Sequence, residues 1–191
     1  MKLYFNPHSR AVIAKWILDE AGAEYEIVPI SLEMGEHKAP DFLAINPAGK
    51  LPALVDGDTH LFENAAICLY VAEKFPAAKL APPVGTPGRG RFLSLMVYST
   101  SQLEPSMGDE LFKLPTPPAR GWNDFDAVKD VVERELGEGP WLFGAHFTAA
   151  DVMVGSMFIW QRVFGSRSGR PKIDAYIDRL QARPSAMKLS T

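Results

Sequence analysis

The sequence predicts a two-part chain, a small α/β domain followed by an all-α helical bundle. Three observations carry this. Strand-like and helix-like apolar patterns alternate over residues 1–76, only the helical period persists over 91–191, and prolines and glycines crowd the segment 77–90 between them. Pro82, Pro83, Gly85, Pro87, Gly88 and Gly90 make that segment the clearest linker in the chain.

Residues 2–6 read as a strand. Val12, Ile13, Trp16 and Ile17 then recur at helical spacing, and Gly22 supplies a stop. Residues 25–30 are β-rich. Residues 51–55 and 59–62 are two short β-like runs around Asp56-Gly57-Asp58, a hairpin signal. Ile67, Tyr70, Val71 and Phe75 return to a helical stripe. The order β-α-β, loop, β-β-α predicts a parallel strand pair with an added hairpin.

The second part has only helical stripes. Phe92, Leu95, Met96 and Leu103 form the first, which Pro105 is expected to kink or end because proline lacks the amide donor. Pro115, Pro117 and Pro118 mark a loop. Phe125, Val128, Val132 and Leu136 give a second helix, Met153, Ser156, Met157 and Trp160 a third, and Ile173, Tyr176, Ile177 and Leu180 a fourth.

Composition narrows the function classes. The 191 residues are 47% hydrophobic and 23% charged, a globular balance that excludes disorder. A net charge of −3 without a basic run argues against nucleic acid or an anionic membrane as partner. One cysteine, Cys68, excludes an internal disulfide framework. No uncharged apolar run reaches the ~18 residues of a membrane span. No signal peptide pattern opens the chain, so a cytoplasmic location is expected. His8, His37, His60 and His146 lack metal-ligand spacing, and no metal is expected.

Five short segments carry candidate chemistry. Pro7-His8-Ser9-Arg10 stands at a strand-to-helix junction. Ser9 reads either as an N-cap alone or as a hydroxyl that, beside a helix N-terminus, stabilises a bound thiolate or carboxylate. Gly35-Glu36-His37-Lys38 reads as a solvated loop or as two cations facing a carboxylate. In Asn46-Pro47-Ala48-Gly49-Lys50-Leu51-Pro52, the second proline belongs on an edge strand or at a bend, and a cis Leu51–Pro52 bond is one explanation. Glu63-Asn64 enters the next helix, with Asn64 as a natural N-cap and Glu63 able to hold an ammonium. Thr148-Ala149-Ala150-Asp151 is a capping box.

Taken in order and spacing, these segments resemble the cytosolic glutathione S-transferases, of the serine type found in the phi and theta-like classes. The likeness spans both domains. It implies a thioredoxin-like N-terminal domain and a helical C-terminal one. It also implies roles residue by residue. Ser9 would hold the glutathione sulfur as thiolate. The Leu51 backbone would pair with the cysteinyl backbone, with Pro52 fixing the geometry. Glu63 and Asn64 would hold the γ-glutamyl end, and His37, Lys38 and Lys50 the glycyl carboxylate. Many members carry serine where this chain has Asn64, whose carboxamide is expected to keep a donor for carboxylate. Tyr4 and Arg10 are secondary candidates for the thiol. Tyr98, Gln102 and Met107 are weaker candidates for an apolar acceptor site.

The expected function is therefore glutathione conjugation to a small apolar electrophile, in a homodimer, without a metal. Two alternatives stand beside it: another glutathione-dependent activity (peroxidase, dehalogenase or isomerase) and a non-catalytic binding member of the fold.

Overall fold

The protein is described here through a computed structural model covering residues 1–189. The last two positions of the 91–191 helical segment lie outside the described residues. The chain divides into two compact units, residues 1–79 with 187–189, and Leu80–Ala186.

The first unit is built on strands β1 (Lys2–Phe5), β2 (Glu26–Pro29), β3 (Ala53–Asp56) and β4 (Thr59–Phe62) in the order β2-β1-β3-β4. β1 and β2 run parallel, with Leu3 opposite Ile27, while β3 pairs antiparallel with β1 and with β4. The expected parallel pair and hairpin are thus both present. Gly57, at φ 58°, turns the hairpin, a conformation that glycine reaches without steric cost.

Helix α1 (Ala11–Glu20) crosses from β1 to β2 and buries Val12, Ile13, Trp16, Ile17 and Leu18. It packs beside α3 (Asn64–Lys74), which buries Ile67, Cys68, Val71 and Ala72. The apolar periodicity therefore matches the buried faces. The loop from β2 to β3 holds a 3-10 turn at Glu36–Lys38 and a four-residue helix α2 (Pro40–Leu43), neither visible as a period in so short a run. Phe42 of α2 joins Ala11, Leu51 and Ala53 in a buried cluster against which Tyr4, Phe5 and Ile45 pack. Cys68 is fully buried, and burial pushes its thiol well above the ordinary range, so it is an inert core residue.

The second unit contains α4 (Pro87–Tyr98), α5 (Glu104–Phe112), α6 (Phe125–Leu136), α7 (Ala149–Val163) and α8 (Pro171–Gln181). Two expectations need correction. The segment 87–90 is not linker but the first turn of α4, with Pro87 at its start. Proline is suited there, since its fixed φ fits a helix and its missing amide would have had no partner. Pro105 neither ends the helical run nor leaves it α-helical throughout. A π-helical turn, Ser99–Leu103, precedes it and the chain continues as α5. The wider turn sits where a proline ring would otherwise meet the carbonyl of the preceding turn.

α7 is the axis of this unit. Every residue from Ala149 to Gln161 is buried, and α4, α5 and α8 pack around it. At Gly155 a Cβ would stand 2.2 Å from Leu180 Cδ1, so any larger residue there would make the Leu180 side chain of α8 shift. The N-terminus of α7 is held by Asp151, which is 0% exposed. Its carboxylate accepts from the Leu142 amide at 2.8 Å, the Thr148 amide at 2.8 Å, the Thr148 hydroxyl at 3.1 Å and the Tyr176 hydroxyl at 3.0 Å. Those four donors favour the ionised form, yet burial outweighs them and pushes the carboxyl up to about 6.

Asp151→Asn tests this cap. An amide cannot accept on both sides, so we expect a loss of about 1–3 kcal/mol at pH 7 by urea denaturation. The raised carboxyl also sets a sign. Its contribution to stability is full below about pH 4 and is lost as pH rises through about 6. The non-titrating variant lacks that slope, so its deficit relative to the wild type is expected to widen between pH 6 and pH 4.

Candidate functional site

The turn from β1 into α1 is organised by Asn6 and Ser9. The Ser9 hydroxyl donates to the Asn6 carbonyl at 2.7 Å and accepts from the Ala11 amide at 3.1 Å. Arg10, not Ser9, occupies the cap position by backbone conformation. The Ser9 side chain nonetheless satisfies one of the first-turn amides, which is the chemical task of a cap. Asn6 closes the turn: its Oδ1 accepts from the His8 amide at 2.9 Å, and its Nδ2 donates to the Ile30 carbonyl at 2.8 Å. Asn6 went unnoticed in the sequence because asparagine before proline reads as an ordinary turn residue.

The segment before β3 is shaped by a second asparagine. Asn46 is buried, accepts from the Ala48 amide at 3.0 Å and donates to the Lys50 carbonyl at 2.7 Å. The Leu51–Pro52 peptide is cis. The strand that follows is interior, between β1 and β4, so Pro52 marks a bend and not an edge strand. The ladder begins at Ala53, which leaves the Leu51 backbone outside the sheet pairing. Lys50 is exposed.

Lys38 reaches the same segment, its Nζ donating to the Ala48 carbonyl at 3.4 Å. It passes over Gly49, where a Cβ would lie 2.7 Å from the Lys38 Nζ and 3.1 Å from the His37 carbonyl. His37 is half-buried, and its Nδ1 is buried without a hydrogen-bond partner among the described residues.

At the start of α3 the assignment of the cap changes. Glu63 holds the cap position at φ 70° and is exposed, while Asn64 is the first residue of the helix and is buried, with 9% exposure. A solvated Asn64 cap is thus replaced by an inward-facing carboxamide. Its Nδ2 donates to the Arg10 carbonyl at 3.1 Å, and its Oδ1 is buried without a partner among the described residues. One of the two hydrogens of the carboxamide nitrogen is thereby engaged.

These contacts draw four separated segments together. Asn64 joins the Arg10 turn, Leu51 shares a buried cluster with Ala11, and Lys38 lies on Ala48 and Gly49. Tyr4 packs against that same buried cluster, edge to face with Phe42 at 5.8 Å. In the helical unit, Gln102 is occupied by the loop after α5, donating to the Gly121 carbonyl at 2.6 Å and accepting from the Asn123 amide at 3.3 Å. Met107 is buried and lines a cavity of about 30 Å³ with Leu111, Phe125 and Phe164. The Tyr98 hydroxyl is buried without a partner among the described residues, and burial raises its pKa. Sequence periodicity missed the apolar side chains that remain exposed at the ends of α5 and α7, namely Leu111, Phe112, Val163 and Phe164.

A small mixed sheet with polar groups at two helix starts, followed in the chain by an all-helical unit, defines a class of two-domain protein. Comparison with known proteins makes the class particular. Residues 1–73 match the glutathione S-transferase N-terminal domain model and residues 119–179 the corresponding C-terminal domain model. Glutathione S-transferase 3 of Zea mays is 32% identical, over 98% of this chain and 92% of its own length. A glutathione transferase from Methylococcus capsulatus superposes with a TM-score of 0.80 at 30% identity, covering 97% of this chain and 94% of that one. A sphingomonad glutathione S-transferase complexed with glutathione gives 0.78 at 31% identity, covering 97% and 95%. The chain belongs to the glutathione S-transferase family.

The crowding at Gly49 yields a prediction. Gly49→Ala places a Cβ on a residue at φ 60° and against Lys38. We expect a loss of about 1–2 kcal/mol, read by thermal denaturation. A neutral result would contradict the left-handed backbone of this turn.

Proposed function

We propose that this protein joins the sulfur of glutathione to an electrophilic carbon of a small apolar co-substrate. Family membership supports the reaction class, and the Ser9 turn is the observation that carries the mechanism. A hydroxyl held at the start of α1, once it turns from the Asn6 carbonyl, can donate to a sulfur that lies there as an anion. The thiolate attacks the carbon, a C–S bond forms, and the leaving group departs with its electron pair. Lowering the thiol's pKa and holding the two reactants together supply the rate.

The neighbouring segments suit the rest of the tripeptide. The Leu51 backbone, unused by the sheet, is placed to pair with the cysteinyl residue, with Pro52 shaping the bend. Glu63 is exposed and offers a carboxylate to the γ-glutamyl ammonium, while the first amides of α3 suit its carboxylate. Asn64 gives one amide hydrogen to the Arg10 carbonyl and keeps a second donor for this end of the peptide. His37, Lys38 and Lys50 cluster near the 48–50 turn, where they suit the glycyl carboxylate. Arg10 and Tyr4 are supporting groups. For the electrophile, Tyr98, Gln102 and Met107 remain candidates, and the exposed Leu111, Phe112 and Phe164 add apolar surface to the same unit. The working form we propose is a cytoplasmic homodimer.

Ser9→Ala removes a hydrogen bond to a charged atom, an interaction of roughly 1.5–3 kcal/mol. Turnover of an aryl halide at pH 6.5 is expected to fall by about 10–100-fold in kcat/KM, with a smaller change in the KM for glutathione. Unchanged turnover would remove Ser9 from the mechanism. Phe164→Ala is expected to raise the KM for the electrophile about 3–10-fold while the KM for glutathione stays put, in line with one apolar contact. A change confined to glutathione would place the acceptor elsewhere.

A further inference from the structure

A serine hydroxyl carries one proton, and in this structure its direction is settled by chemistry. The Asn6 carbonyl cannot donate, so the 2.7 Å contact from Ser9 Oγ places the hydroxyl proton on that oxygen. The Ala11 amide fills one lone pair of Oγ from 3.1 Å. A sulfur arriving at Ser9 then meets the remaining lone pair. That arrangement favours S–H, which can donate to it, and disfavours a thiolate. To stabilise a thiolate, Ser9 must release the Asn6 carbonyl and turn its proton toward sulfur.

The turn makes that release inexpensive. The Asn6 carbonyl also accepts the Ser9 backbone amide at 3.1 Å, so it keeps a partner when the hydroxyl leaves. Ser9 Oγ keeps the Ala11 amide, which holds the oxygen while the proton turns. The Asn6 side chain fixes the accepting carbonyl from both sides, through the Ile30 carbonyl at 2.8 Å and the His8 amide at 2.9 Å.

We propose that Asn6 is a positioning residue for thiol activation: its carbonyl accepts the Ser9 hydroxyl and gives it up to a thiolate sulfur, and its carboxamide keeps that carbonyl in register. The thiol's own proton leaves to solvent, and no covalent bond of Ser9 changes. This inference rests on Ser9 acting on the glutathione sulfur. It adds a residue that participates through Ser9 and does not touch substrate.

The test is the pH dependence of kcat/KM for an aryl halide in wild type, Asn6→Ala, Asn6→Ser and Ser9→Ala, with the midpoint of thermal unfolding measured alongside. In Asn6→Ala the Ser9 oxygen loses its register. The thiol midpoint is expected to rise by about one pH unit, a loss of about tenfold below the midpoint that recovers at alkaline pH, where thiolate forms unaided. Asn6→Ser, whose hydroxyl still accepts from the His8 amide, is expected to shift about threefold and serves as the test if the alanine variant fails to fold. A purely structural role would lower activity by one factor at every pH, and that outcome overturns the proposal. So does a wild-type midpoint in both Asn6 variants while Ser9→Ala is shifted. An unshifted Ser9→Ala instead overturns the reading of Ser9 on which the inference rests.

Discussion

The buried Asn64 carboxamide, donating to the Arg10 carbonyl, ties the starts of the two helices that pack together on the sheet. Much else in the first unit depends on that tie. A helix start leaves amides without intrahelical partners, and two such starts side by side create a region that favours negative charge. With the Arg10 turn fixed, Ser9 stands at one start and Glu63 at the other. The spacing between the Ser9 hydroxyl and the Glu63 carboxylate, which we propose face the thiol and the ammonium, thus becomes a property of helix packing. The core cluster of Ala11, Phe42, Leu51 and Ala53 adds the Leu51 backbone to the same frame.

The helical unit follows a different logic. Its axis, α7, is buried along its length, so its N-terminal amides cannot turn to water. The Ala149 amide donates to the Leu80 carbonyl and the Asp151 amide to the Thr148 carbonyl, while the Asp151 carboxylate joins the 142 loop, the Thr148 cap and Tyr176 of α8. The unit is thus tied together at one buried point. Its apolar side chains at the ends of α5 and α7 stay exposed.

How far the sequence carried this account depended on the range of the interactions involved. The alternation of strand and helix, the hairpin at Gly57 and the Thr148–Asp151 cap are local patterns, and the structure contains all of them. Segments around Ser9, Lys38, Leu51 and Glu63 stood out by composition, and folding brings them into one network. What escaped was set at longer range or by compensation. The orientation of Asn64 depends on a carbonyl 54 positions earlier in the chain. The passage of the helix through Pro105 depends on a π-helical turn that the proline rule does not anticipate. Asn6 was hidden because its task belongs to three groups: the Ile30 carbonyl, the His8 amide and the Ser9 hydroxyl.

The central claim is that the start of α1 holds glutathione sulfur as an anion. The most direct measurement is the ultraviolet absorbance of the thiolate, titrated against pH for glutathione bound to the wild-type protein and for glutathione alone. The account predicts a midpoint at least one pH unit lower, roughly the worth of one hydrogen bond to a charged atom, when glutathione is bound. Coincident midpoints with saturating binding would contradict it, because the peptide would then be held without its sulfur being activated.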